Sequence, residues 1–239
     1  MPPSDFNEPQ NPYLAPRPVA HDDMRLDAEF DDGPLQPFKT IWLHPRRTIR
    51  QLVAHNPELY VVPLVCLAGI VNVLDRASQR NLGDRWSLAT ILGIAFLLGP
   101  LGGLFALWIF SHLIRITGNW IGGTAPREHL NTAIAWAKVP AVVTLPLWLL
   151  LLALFGFEMF TSETPRMDAE PMIFALLIAV GIVETILSIW AFVLLCNTVA
   201  EVQGYRSAWR GLGNLLLAGL LLVVPLIVLG LALVVLLRP

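Results

Sequence analysis

The sequence predicts an all-α fold: a polytopic membrane bundle of five transmembrane helices, preceded by an amphipathic interfacial helix and a disordered N-terminal tail. Three observations carry this. Five long apolar stretches follow residue 58. Only 14% of the 239 residues are charged, against about 25% in a soluble domain. Mean hydropathy is +0.63. A bilayer core about 30 Å thick needs roughly 20 apolar residues per helix, so the chain supplies five crossings, short loops and one tail.

The tail comes first. Residues 1–37 hold eight prolines, and eight acids against two arginines. Such a segment buries too little apolar surface to offset its ordering entropy. It reads as a disordered, acidic, cytoplasmic tail, with a solubilising role or a docking role for a partner. The first apolar run starts at residue 59, so no cleavable signal peptide is expected, and the first membrane helix serves as the targeting signal.

Residues 38–57 form the next unit. Trp42, Thr48, Ile49, Leu52 and Val53 fall on one side at helical spacing, with Arg46, Arg47, Arg50 and Gln51 opposite. Pro45 suits a first helical turn and Asn56-Pro57 stops the helix. The expectation is a short helix at the membrane surface, with Trp42 at headgroup level and the arginines on anionic lipid. A protein-binding epitope is the alternative.

Residues 58–238 hold the five spans, expected at 59–74, 88–110, 133–157, 171–196 and 212–237. The first is short, about 24 Å. The apolar run of the second continues towards Ile116, so its end is expected to bend along the interface. Pro63, Pro100, Pro140, Pro146 and Pro225 lie within spans, where neighbouring helices satisfy the carbonyls they free. None of the spans alternates as a barrel strand would. Eight Lys/Arg flank the spans on the N-terminal side and five on the other. This places the N-terminus in the cytoplasm and the C-terminus outside. The arginines of the first loop, Arg76, Arg80 and Arg85, argue the other way. A net charge of −2 gives no basis for nucleic-acid binding.

Chemistry has few carriers. There is no HExxH, Gly-x-Ser-x-Gly, Walker loop or Cys-x-x-Cys pattern. The five histidines show no metal-ligand spacing, and Cys66 and Cys196 sit in apolar runs as packing residues. No catalytic residue, metal or cofactor is expected. Two charges fall inside spans. Lys138 lies roughly 9 Å from the start of the third span, and Glu184 roughly 10 Å from the same membrane face. Matching depth on antiparallel neighbours suggests an ion pair that fixes helix register. The alternatives are a snorkelling Lys138 with a protonated Glu184, or a relay for protons or substrate. Asn131, Asn197 and Asn214, near the cytoplasmic ends of spans three to five, are candidates for hydrogen bonds between helices, or for the floor of a cavity. Gly99 and Gly103 permit close helix approach. Trp108, Trp120, Trp136, Trp148, Trp190 and Trp209 read as packing or interfacial-belt residues.

Two stretches carry a resemblance. Trp42-x-x-Pro45-Arg46-x-Thr48-Ile49-Arg50, ending at Asn56-Pro57, resembles the lead-in of bacterial Yip1-domain proteins. Ala135-Trp136-Ala137-Lys138-Val139-Pro140 resembles that family's aromatic-to-proline segment. The likeness covers about residues 38–237. It implies an integral membrane protein of five spans without enzymatic activity. Eukaryotic relatives act in vesicle trafficking and bind Rab-type GTPases. This chain lacks their Asp-Leu-Tyr-Gly-Pro-like motif, so Rab binding is not carried over.

The functional expectation is a non-enzymatic protein of a bacterial inner membrane. It would organise or modulate other membrane components, through membrane-protein partners or self-association. The alternative is a small-molecule or ion transporter or channel with Glu184 and Lys138 in the path, made whole as a homodimer because five spans are few for two inverted repeats.

Overall fold

The computed structural model describes residues 36–165 and 169–236. Most of the acidic tail, with Arg166, Asp168 and Arg238, lies outside them. The described residues are helical and form no strand. A one-turn helix α1 (Pro37–Thr40) leads into α2 (Pro45–His55). Then come α3 (Val61–Gln79), α4 (Leu88–Trp120), α5 (Arg127–Trp136), α6 (Val139–Val143), α7 (Leu145–Phe155), α8 (Pro171–Val202) and α9 (Ala208–Leu236). Five stretches are long and apolar enough to cross a membrane: α3, α4, the run Arg127–Phe160, α8 and α9.

The first span is longer than its apolar run. Helix α3 has 19 residues, about 28 Å, because its last turns keep polar residues with partners in reach. Arg76 Nε donates to Asn72 Oδ1 at 2.8 Å, and Asp75 Oδ1 accepts from Trp148 Nε1 at 2.9 Å. Helix α4 does not break at its end. It runs unbroken for 33 residues through Pro100, about 50 Å. Helix α8 has 32 residues. Both exceed a hydrocarbon core of about 30 Å.

The third span is broken rather than continuous. Pro140 has no N–H to offer the carbonyl of Trp136, and Pro146 has none for Val142. The chain tightens at both places: Lys138 N–H donates to Ala135 O at 3.0 Å, and Thr144 N–H to Ala141 O at 3.2 Å. Helices α5, α6 and α7 are the resulting pieces.

Two apolar layers stack along the bundle. One, on the side that carries α2, gathers Ile49, Leu52, Leu64, Leu130, Trp136 and Leu194. The other gathers Leu74, Ile91, Trp148, Leu151, Phe155 and Phe160. Helix α2 is part of the first layer. Ile49 and Leu52 are 0% and 1% exposed, so its apolar stripe packs on the bundle.

Candidate functional site

Lys138 caps the start of α6 at the first break. Helices surround it, yet its side chain is open, because it projects into a cavity of about 620 Å³ between α3, α4 and the α2-side ends of α8 and α9. An unpaired lysine in a span costs roughly 2.5–3.5 kcal/mol, and the cavity leaves room beside the ammonium for a counter-charge. The wall is mostly apolar, with Asn72 and Arg76 towards the other end. Among the described residues no Asp or Glu lines it.

Glycines shape this cavity in two ways. A Cβ on Gly69 would meet the Gly99 carbonyl, and one on Gly99 would lie 2.8 Å from Ile70 Cα. Here α3 and α4 touch backbone to backbone, as the Gly99–Gly103 spacing suggests. Gly102 and Gly219 also line the cavity, but a Cβ on either meets nothing within 4 Å.

Lys138 and Glu184 do not pair, and neither has a hydrogen-bond or ion-pair partner among the described residues. The register explains it. Thr198 Oγ1 donates to Ala133 O at 3.0 Å, which sets those two residues level. Moving away from the α2 side, Lys138 stands about 8 Å beyond that level and Glu184 about 21 Å. They are therefore roughly 13 Å apart along the bundle. Trp148, about 22 Å beyond, is level with Glu184 and holds Asp75. Glu184 Oε1 is buried without a partner.

The three asparagines divide. Asn214 is fully buried, and its Oδ1 accepts from Thr117 Oγ1 at 2.6 Å, joining α9 to α4. Asn197 donates back to Val193 O at 2.9 Å and accepts from Arg46 Nε at 3.4 Å, so it reaches α2 rather than a membrane helix. Asn131 Oδ1 is buried without a partner.

Around Asn214 lies a polar joint that pattern reading missed. Gln203 Oε1 accepts from Ala125 N–H at 3.1 Å and its Nε2 donates to Ile114 O at 3.3 Å. Tyr205 Oη donates to Gly118 O at 3.2 Å. Burial pushes the Tyr205 phenol above its usual range, against an opposing pull from Arg210. Both side chains are aimed by the end of α8, where Gly204 at φ +75° lets Tyr205 N–H return to Ala200 O at 2.8 Å. The available signal was the glycine bracketed by two polar residues.

The arginines of α2 meet protein. Arg46 Nη1 donates to Arg206 O at 3.2 Å, and Arg50 pairs with Glu201 at 2.6 Å. Arg47 is exposed. Trp42 packs half-buried on the first apolar layer. Among the described residues no cluster of His, Cys, Asp and Glu is arranged to hold a metal ion.

A bundle of apolar spans with a docked N-terminal helix defines an integral membrane protein, in contact with lipid along α4, α8 and α9. The Yip1 domain family model matches residues 39–236, and the chain belongs to that family. No curated protein and no solved structure matches it.

Proposed function

We propose that this protein performs no chemistry of its own and organises or modulates other components of its membrane, a bacterial inner membrane, through the face that carries α2. The observation behind this reading is how that face is built. Helices α4 and α8 outrun the hydrocarbon core. Gln203 and Tyr205 lock their ends together, the Thr117–Asn214 bond ties α9 to α4, and Arg46 and Arg50 fasten α2 to the end of α8 and the loop after it. On this rigid platform Leu43 and Trp209 stand 78% and 79% exposed. Arg47 is left for anionic lipid or an acidic partner.

Deleting α2 is a poor test, because it strips Ile49 and Leu52 from the core. Photo-crosslinking residues at Leu43, Arg47 and Trp209 leave the fold intact. The expected result is a shared protein adduct, or a homodimer, from all three positions and none from Phe157 on the far side. Lipid adducts alone at all four positions would reject the reading.

A transporter is the second reading, favoured by one observation: Lys138 opens into the cavity. Glu184 is not in its lining, so any path would run past Lys138, Asn72 and Arg76. In a variant lacking Cys66 and Cys196, a cysteine at position 138 should then react with impermeant thiol reagents from both sides. Protection from either side excludes alternating access.

A further inference from the structure

We propose that the cavity is a binding site for an anionic phospholipid drawn from the bilayer, its phosphate held by Lys138 and an acyl chain laid along the glycine wall. This goes beyond the organising role and does not depend on it. Three observations converge. The volume, about 620 Å³, falls in the range of roughly 300–1,000 Å³ found for small-molecule sites. The charges in the lining are Lys138 and Arg76, both positive and with no acid beside them in that wall. Basic pockets between membrane helices suit phosphate headgroups, and lysine serves as a point charge for phosphate. Between the two cations the lining of α3 runs from Val65 to Arg76, about 16 Å of helix, long enough to guide much of an acyl chain.

The source of the phosphate follows from the rim. Phe110 and Phe192 line the cavity and are 43% and 50% exposed. Both belong to the lipid-facing surfaces of spans, so the opening gives onto the bilayer rather than onto water. Gly102 and Gly219 leave the wall bare where side chains could have filled it. The break at Lys138 is what turns an ammonium into this space: a continuous helix would not interrupt its backbone bonding at the residue before Val139-Pro140.

The test uses the full chain in phosphatidylcholine nanodiscs, titrated with phosphatidylglycerol or with inorganic phosphate, and read as bound adducts by native mass spectrometry. Phosphatidylglycerol should be retained at least tenfold over phosphatidylcholine. Lys138→Gln should cut that preference at least fivefold by removing the anchor. Gly102→Leu should do the same by filling the cavity, and a Cβ there meets nothing within 4 Å, so it decides the matter if Lys138→Gln does not fold. Gly93→Leu, where a Cβ likewise meets nothing within 4 Å and which lies outside the lining, should leave the preference unchanged. A preference that survives Gly102→Leu overturns the proposal. Inorganic phosphate binding as tightly as phosphatidylglycerol also overturns it, in favour of a site for free anions.

Discussion

Gly99 and Gly102 stand three residues apart on α4 and carry opposite duties. Gly99 faces the backbone of α3, where a Cβ would lie 2.8 Å from Ile70 Cα, whereas Gly102 faces open space. Gly99→Leu should therefore push α3 and α4 apart and cost about 1–3 kcal/mol, while Gly102→Leu should leave the thermal midpoint within error. Equal losses in detergent melts would mean that the two glycines do the same work. Tyr205 offers a test by pH. Its phenol is held above its usual value by burial, about 10 for an unfolded chain. The contribution is thus fully present below pH 10 and is lost as pH rises through the folded value. Tyr205→Phe should cost about 1 kcal/mol at pH 8, and the gap from the natural chain should narrow above pH 10. A gap that widens there would contradict the buried hydroxyl. Side chains like these were only partly legible beforehand. Asn214, Lys138 and Glu184 stand out as polar residues in apolar runs. Gln203 and Tyr205 sit beyond the end of such a run, where polarity raises no flag.

Helices were legible by length and period, but not by what they lean on. An amphipathic stripe such as Ile49 and Leu52 buries equally well in lipid or in protein, and nothing local distinguishes the two. Here the deciding contacts are made at 3.2–3.5 Å by Arg46 to Asn197, Tyr205 and Arg206, more than 150 residues away. Arg46→Ala should release α2 at a cost of about 1–2 kcal/mol and speed tryptic cleavage after Arg47 and Arg50 about tenfold. Arg50→Ala should do much less, because the Arg50 side chain is 51% exposed in its pair with Glu201 and such surface pairs contribute about 0–1 kcal/mol. Cleavage rates that rank the other way would show that the ion pair, not Arg46, fastens the helix. The third span shows the same limit from another side. Its prolines could be read as tolerated kinks, yet only the packed structure shows that the first kink aims Lys138 into a cavity.

In the assembled bundle, depth is set by register between helices, and register is what the reading of Lys138 and Glu184 lacked. Span ends were drawn where hydropathy falls, but α8 runs on to Val202. Glu184 therefore stands level with Asp75 and Trp148 instead of Lys138. Sidedness rests on a different sum, the distribution of cations about the whole bundle. Lys39, Arg46, Arg47, Arg50, Arg115, Arg127, Arg206 and Arg210 belong to the end that carries α2, and Arg76, Arg80 and Arg85 to the other end. Translocation responds to these numbers whether or not a given arginine later finds a partner in the folded protein. The α2 end should thus face the cytoplasm. In a background without Cys66 and Cys196, a cysteine at Leu43 should react with an impermeant maleimide only after the cells are opened, and one at Phe157 should react in intact cells. The reverse pattern would turn the bundle over. It would also move the platform of Leu43 and Trp209, and every partner sought for it, to the opposite side of the membrane.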